Sequence, residues 1–182
     1  MKRKPKRLLI TEFGNPVLHK KARRVAKKDL TTMHFKKLAT DMLYTMRRTQ
    51  GVGIAAPQVG VSKRLAILEM RPTPTRPNMK RKGPLVIINP RILAYGKARV
   101  NGWEGCLSLP GIRGKVPRAK TLLVEYMNDD GEVVRERVSG FWARIFQHET
   151  DHLHGIGYFE RMKDLRTLIT LSEYKKRILK KK

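Results

Sequence analysis

The stretch that most constrains this chain is His148-Glu149-Thr150-Asp151-His152, near its C-terminal end. If residues 140 to 153 form a helix, His148 and His152 lie one turn apart on the same face, and both imidazoles can reach one metal ion. Glu149 then lies beside that ion without having to bind it, which suits a general base acting on a water molecule. The alternative is a pair of histidines that merely pack or are solvated.

The residues around this motif favour a helix. Ser139 can act as the N-cap, and Gly155 is placed to end the helix. Between them, a buried face is supplied by four apolar residues, Phe141, Trp142, Ile145 and Phe146. Because a chance match would seldom fall in such a context, we interpret the segment as half of a metal site.

Length and cysteine content limit the class of protein. A chain of 182 residues with 40% hydrophobic residues can bury one core, so we expect a single domain over residues 1–182. No apolar run approaches the eighteen or so residues of a membrane span, which predicts no membrane insertion. Cys106 is the only cysteine and cannot form an internal disulfide, which fits a reducing, cytoplasmic location.

The net charge is strongly positive, because 41 Lys and Arg residues face 15 Asp and Glu residues, giving +26. Such a field attracts polyanions, including RNA. The basic residues are spread along the whole chain, however, as they would be on an ordinary solvated surface. Composition alone leaves both interpretations open.

Hydrophobic periodicity predicts an α+β fold, with small mixed or antiparallel sheets around a central helix that carries the histidines. An N-terminal helix is expected over residues 30 to 48, capped by Asp29 or Thr31, and a C-terminal helix over residues 164 to 178. The residues between 71 and 84 include four prolines and predict a surface loop. Strands are expected at 65–70, 85–89 and 91–95, and a hairpin at 121–138.

A catalytic metal site needs three protein ligands and an open position, so one ligand must come from outside the histidine helix. Cys106 is the obvious source, since it lies among Gly, Ser and Pro residues in Glu104-Gly105-Cys106-Leu107-Ser108-Leu109-Pro110. This setting predicts an exposed loop thiol rather than a core filler. A second segment, Gly51 to Gly60, is rich in small residues that let backbone approach a ligand closely, although it could also be a tight connection.

Three blocks of the chain together resemble the signature blocks of peptide deformylases. They are Gly51 to Gly60 (G-x-G-x-A-A-x-Q), Glu104 to Ser108 (E-G-C-L-S) and Gln147 to Gly155 (Q-H-E-x-D-H-L-x-G), in the family's order. The resemblance extends from Leu8 to about Asp164. It implies a metal-dependent hydrolase that removes formate from the N-formyl-methionine of nascent polypeptides.

The resemblance also assigns roles to individual residues. It implies three metal ligands, Cys106, His148 and His152. It implies Glu149 as the catalytic carboxylate, with Gln58 and the backbone N–H of Leu107 hydrogen-bonded to the formyl oxygen. The cofactor it implies is one divalent ion, Fe²⁺ in the cell, with Zn²⁺, Ni²⁺ or Co²⁺ as possible substitutes.

Further residues match the family's substrate pocket and its supporting shell. The resemblance implies a pocket formed by Val52, Gly53, Phe141 and Ile145, with Arg113 near the downstream peptide unless it is only a solvated loop residue. Glu104 is expected to form an ion pair with Arg118. The alternative is that Arg118 is an ordinary surface arginine. We expect Arg144 to point to solvent or a partner, and Gln147 to be structural. Asp151 could accept a hydrogen bond or be exposed.

Two other functions are compatible with parts of this sequence. A metallopeptidase would share the histidine helix, but such enzymes usually draw their third ligand from His or a carboxylate rather than from Cys106. A basic RNA- or ribosome-associated protein with a structural metal would not need Glu149 or Gln58. The basic tail, about residues 173 to 182, is a candidate ribosome contact or simply a frayed end, and we expect a monomer.

Overall fold

Two antiparallel sheets form the framework of the computed structural model, which describes residues 4–179. The larger sheet contains, in spatial order, β1 (Gly53–Ala55), β2 (Leu65–Met70), β3 (Lys82–Tyr95), β6 (Thr121–Met127) and β7 (Val133–Ser139). The smaller sheet contains β4 (Arg99–Cys106), β5 (Leu109–Ala119) and β8 (Ile169–Thr170). Across residues 4–179, no helix is long and apolar enough to cross a membrane.

Three helices accompany the sheets: α1 (Met33–Arg48), α2 (Gly140–Leu153) and the single turn α3 (Leu171–Tyr174), which continues as a wider π-helical turn over Lys175–Leu179. Short 3₁₀ turns connect the strands and helices. The predicted α+β class is therefore confirmed, and α2 spans the residues expected of the histidine helix.

Strand β2 of the larger sheet is buried on both faces. Along β2, Leu65 and Ile67 point into the apolar cluster shared with α1, whereas Ala66 and Leu68 point into the cluster shared with α2. This alternation explains why the strand is apolar at nearly every position. The consequence is that α2, which carries both histidines, is held against a rigid sheet.

The start of α1 differs from the prediction. Thr32 is the N-cap, and its Oγ1 accepts a hydrogen bond from Phe35 N at 3.2 Å. The expected caps, Asp29 and Thr31, were wrong because Lys27–Asp29 form a separate 3₁₀ turn before the helix. The end of the helix at Arg48 agrees with the prediction.

Helix α2 begins and ends at the predicted residues. Ser139 occupies the N-cap position, but its side chain makes no capping hydrogen bond. At the other end, Gly155 has a φ of +77°, and the N–H groups of Gly155 and Ile156 donate to the carbonyls of His152 and Asp151. A Cβ at Gly155 would come within 2.6 Å of His19 backbone, so only glycine fits this turn.

The strands were predicted incompletely. The hairpin of β6 and β7 is confirmed, but β4 and β5 were missed, because their glycines and prolines dilute the β-branched pattern that marks a strand. The expected strands at 85–89 and 91–95 are one continuous strand, β3, with irregular register near Arg91 and Ala94. Such bulges bend a strand without ending it.

The expected C-terminal helix is wrong over its first half. Leu165–Thr167 form a 3₁₀ turn, and β8 follows it by pairing with Ile112 and Arg113 of β5. Tertiary pairing outweighs the helical periodicity of the segment, so the helix begins only at Leu171.

Candidate metal centre

Two elements bring the three expected metal ligands together. His148 and His152 lie on one face of α2, and Cys106 is the last residue of β4. Ligand atoms of the three residues lie within 4.8 Å of one another, and Cys106 Sγ is 3.1 Å from His152 Nε2. One thiolate and two imidazoles form a donor set suited to a divalent transition metal, so these residues fit such an ion.

The electrostatics of the cluster favour the ligand form of the cysteine. Burial raises the pKa of the Cys106 thiol, but the charges and hydrogen bonds of His152 and His148 outweigh it and bring the pKa well below its usual value. The thiolate is the form that binds a metal. Cys106 is only 6% exposed, so the predicted exposed loop thiol is wrong. The pairing register of β4 with β5 shifts between Glu104 and Cys106, and both side chains are buried.

A buried carboxylate lies directly behind the first histidine. Glu104 Oε2 accepts from His148 Nδ1 at 2.9 Å, and both Glu104 oxygens accept from Arg118 at 3.0 Å. Burial alone would raise the pKa of Glu104. The hydrogen bonds and charges of His148 and Arg118 lower it by more than burial raises it, so the pKa lies well below its ordinary value. The bond to Nδ1 fixes the imidazole so that Nε2 faces the cluster.

Arg144 joins the same network, which corrects the expectation that it points to solvent. Its Nη1 donates to Glu104 Oε1 at 2.6 Å and to the Val116 carbonyl at 2.9 Å, and its Nη2 donates to the Val100 carbonyl at 2.6 Å. Arg144 is 8% exposed. Nothing in the local sequence marks it as buried, since its partners lie on β4 and β5, which were not predicted.

The network continues to the far side of α2. Arg118 Nη1 donates to Asp151 Oδ2, and Arg161 Nη2 donates to Asp151 Oδ1 at 2.8 Å. Asp151 therefore accepts hydrogen bonds rather than being simply exposed. Gln147 is structural as expected, because its side-chain oxygen accepts from Ala119 N at 3.0 Å.

Glu149 is a buried carboxylate beside the ligands. Its Oε2 has no hydrogen-bond partner among the described residues. A Cβ at Gly53 would come within 2.1 Å of Glu149 Oε1, so glycine at this position makes room for the carboxylate. Burial raises the pKa of Glu149 to about 7. A metal cation held by the three ligands would lower that pKa by favouring the charged form.

Gln58 lies beside Cys106, one of the three ligands. It lies in the 3₁₀ turn Ala56–Val59, where its Oε1 accepts from Ala55 N at 2.8 Å. Its Nε2 donates to Cys106 Sγ and Ser108 Oγ, each at 3.3 Å. The amide is thereby oriented with its N–H group toward the metal ligands.

A pocket of about 240 Å³ opens onto this cluster. Eleven of the thirteen predicted site residues line it, namely Val52, Gly53, Gln58, Glu104, Cys106, Leu107, Arg113, Phe141, Ile145, His148 and Glu149. The other two lie behind it, His152 at the buried end of the ligand cluster and Arg118 behind Glu104. Arg113 is half-buried, and its Nη1 donates to the Ile112 carbonyl at 2.8 Å.

The pocket has walls that were not predicted. The loop between β2 and β3 contributes Thr73, which is buried, and Arg76, whose guanidinium lies 4.5 Å from the centre of the Phe141 ring. Leu171 and Lys175 add a wall from the C-terminal segment. These residues were predicted as a surface loop, and their aperiodic, proline-rich sequence gives no signal of these contacts.

Comparisons with known proteins show which family and which solved structures this chain resembles. A family model described as polypeptide deformylase matches residues 8–167. Peptide deformylase 2 of Nostoc sp. is 41% identical over 176 residues, 97% of each chain. The Met-Ala-Ser-bound class I type b peptide deformylase from Acinetobacter baumannii is 41% identical with a TM-score of 0.84, covering 87% of this chain and 100% of that one. The structure of peptide deformylase from Thermotoga maritima gives a TM-score of 0.77 at 38% identity, covering 89% and 100%.

The buried network gives a prediction about stability. Arg118→Ala leaves Glu104 and Asp151 each without one buried cation, so we expect a loss of about 3–5 kcal/mol in the free energy of unfolding. The matched control is Arg135→Ala, which removes an ion pair to Glu125 whose arginine is 69% exposed, and should cost at most about 1 kcal/mol. Urea unfolding of the metal-loaded proteins measures both, and equal losses would contradict the buried network's importance.

Proposed function

Because the chain belongs to the peptide deformylase family, we propose that the pocket around Cys106, His148 and His152 is its catalytic site. The enzyme is a metal-dependent hydrolase that removes the formyl group from the N-formyl-methionine of nascent polypeptides and releases formate. The observation that carries the assignment of the site is the buried carboxylate of Glu149 beside the ligands, whose Oε2 has no hydrogen-bond partner among residues 4–179. The Gln58 amide adds to it, since its Nε2 lies 3.3 Å from Cys106 Sγ.

Cys106, His148 and His152 would hold the metal. When bound, a divalent cation supplies Lewis acidity, which lowers the pKa of water and polarises a carbonyl oxygen. We propose Fe²⁺ as the native ion, with Zn²⁺, Ni²⁺ or Co²⁺ as substitutes. A mixed sulfur and nitrogen donor set supports this range, because it suits several divalent transition metals.

Glu149 would act as the general base and then as the general acid. Its Oε2 is free of partners among residues 4–179 and is thus available to accept a proton from the attacking water. The protonated carboxyl group can then pass that proton to the departing amine of methionine. Glu149 is only 3% exposed, so its carboxyl group has little contact with bulk solvent between the two steps.

Gln58 and the Leu107 N–H would stabilise the negative charge that develops on the formyl oxygen. The Gln58 side chain is held through its oxygen by Ala55 N, which leaves its N–H groups pointing at the ligand cluster. Sulfur is a weak acceptor, so the bond to Cys106 does not prevent the amide from donating to a substrate oxygen.

The methionine side chain would enter the apolar part of the pocket, between Val52, Phe141 and Ile145. Gly53 would meet the substrate backbone in strand-like fashion, and Arg113 would lie near the downstream peptide. The Met-Ala-Ser complex of the Acinetobacter baumannii deformylase supports a peptide of this kind as ligand.

The two rival functions have less support. Neither a structural metal nor RNA binding needs a buried carboxylate beside the ligands, such as Glu149, whose Oε2 is unpaired in the described part of the chain. A metallopeptidase with the same helix would usually take its third ligand from His or a carboxylate, whereas Cys106 fills that place here.

The role of Glu149 can be tested by an isosteric change. We expect Glu149→Gln to retain the metal but to lower formate release from formyl-Met-Ala-Ser by about 10²–10⁴-fold, because the proton acceptor is lost. Glu132→Gln, at an exposed carboxylate between β6 and β7, is the matched control and should keep full activity. Metal content and formate are quantified together. Absence of formate release from the wild type, loaded with iron or nickel, would contradict the proposed function.

The choice of metal gives a second test. Ferrous iron and the Cys106 thiolate are both open to oxidation, so the iron enzyme should lose activity in air while the nickel enzyme keeps it. Formate release is followed over time in air and under argon for both forms. Equal rates of loss for iron and nickel in air would argue against Fe²⁺ as the source of the sensitivity.

We also propose that the enzyme works in the cytoplasm as a monomer, as one catalytic domain over residues 1–182, with its basic tail contacting the ribosome. Tyr174 anchors the tail, since it is buried and lies 5.4 Å from the Trp103 ring. Lys175–Leu179 follow as a π-helical turn. The last three lysines of the tail, residues 180–182, lie outside the described residues.

Removing the tail tests that contact. Deletion of residues 176–182 keeps Tyr174 and the pocket residue Lys175 but removes five positive charges, so ribosome co-sedimentation should weaken and become less sensitive to salt. The control is Lys36→Ala/Lys37→Ala on the exposed face of α1. Unchanged co-sedimentation of the truncated enzyme would refute a role for the tail.

A further inference from the structure

A second and larger cavity lies on the other side of α2. It has a volume of about 810 Å³ and is lined by Gln147, Thr150 and His154, whereas Ile145 and Glu149 line the metal pocket. The two cavities share no lining residue, so α2 separates them. We call the second cavity the rear cleft. Nothing in the hydrolytic reaction uses it.

The rear cleft is strongly basic. Its one acidic residue, Asp151, is already paired with Arg118 and Arg161. Five further cations line it, and none of them forms an ion pair with a carboxylate among residues 4–179: Lys21, Arg24, Arg64, Arg91 and Arg99. Uncompensated cations gathered in one concave surface favour an anionic ligand.

Arg64 is the least exposed of these five cations. It is 6% exposed, its Nη2 donates to the Pro90 carbonyl at 2.7 Å, and its Nη1 lies 3.2 Å from His154 Nε2. Burial lowers the pKa of Arg64, and the nearby charges of Arg24 and Arg91 lower it further. An anion between these guanidinium groups would relieve their mutual repulsion.

A buried hydroxyl in the cleft also lacks a partner. Thr150 is 4% exposed, and its Oγ1 makes no hydrogen bond within the described part of the chain. Buried polar groups are nearly always hydrogen-bonded in folded proteins, so this hydroxyl is one donor among the lining residues that is available to a water molecule or a ligand.

An exposed aromatic ring stands beside the cations. Tyr95 is 54% exposed, and the guanidinium carbon of Arg99 lies 5.6 Å from its ring centre. Leu93, two residues earlier in β3, is 42% exposed. Aromatic rings beside a basic groove bind single-stranded nucleic acids, because an unpaired base can stack on the ring while the phosphates meet the cations.

We propose that the rear cleft binds a short segment of single-stranded RNA, with its phosphates on Arg24, Arg64 and Arg91 and one base stacked on Tyr95. Guanidinium groups favour phosphate oxygens through paired hydrogen bonds. The exposed ring distinguishes a nucleic acid strand from a free phosphate ion. The choice of RNA rests on the proposed function, since nascent chains are made on RNA.

Fluorescence anisotropy of the metal-loaded, full-length enzyme tests this proposal, with a labelled, unstructured RNA of about ten nucleotides. Arg24→Ala/Arg91→Ala should weaken binding and reduce the slope of log affinity against log salt by about 1.4, for two lost phosphate contacts. Lys36→Ala/Lys37→Ala removes the same charge from α1 and should leave the slope unchanged.

The ring is tested separately. Tyr95→Ala should weaken RNA binding roughly five- to 150-fold, whereas Tyr95→Phe, which keeps the ring, should bind like the wild type. Formate release is measured for every variant and should be unchanged. That measurement separates failure of the RNA site from failure of the proposed function.

Three results would overturn the proposal. The first is equal weakening by the cleft and α1 double variants, which would mean that only net charge matters. The second is equal weakening by Tyr95→Phe and Tyr95→Ala. The third is complete displacement of the RNA by pyrophosphate at the same phosphate concentration, which would identify a site for free phosphate instead.

Discussion

The buried carboxylate of Glu104 is the interaction on which the rest of this structure depends. It joins β4 to β5 through Arg118, and it joins β4 to α2 through Arg144 and His148. A buried carboxylate is costly to desolvate, and three hydrogen-bonded cationic or imidazole partners compensate that cost. The smaller sheet, which carries Cys106, is therefore locked in position against the helix that carries the histidines.

Helix α2 divides the molecule into two chemically different regions. One face presents His148 and Glu149 to the metal pocket, and the other presents Thr150 and Asp151 to the larger, basic rear cleft. The two regions are linked, because Asp151 in the cleft shares Arg118 with Glu104, which orients His148. A chain of hydrogen bonds through Arg118 therefore connects Asp151 in the cleft to the metal ligand His148, although α2 keeps the two cavities apart.

The metal ligands and Glu149 could be predicted from the sequence better than the buried hydrogen-bond network that holds them. Helical spacing places His148 and His152 on one face, and a local pattern of this kind can be seen without knowledge of the tertiary fold. Arg144 gives no such signal, because its partners lie on β4 and β5. The glycines and prolines of these strands obscure the alternation that predicts a strand. The position of Arg76 over Phe141 likewise depends on how a long loop folds back, which no periodicity records.

The excess of positive charge gives the few buried carboxylates unusual importance. The chain has only 15 acidic residues. Two of them, Glu104 and Asp151, form the ion pairs that allow Arg118, Arg144 and Arg161 to lie near the metal ligands. Without them, Arg118 and Arg144 would be buried unpaired charges and would repel the metal. The five other cations that line the rear cleft, Arg64 among them, form no ion pair with a carboxylate of residues 4–179. The distribution of the acidic residues, more than the total charge, therefore separates a site for a cation from a surface for an anion.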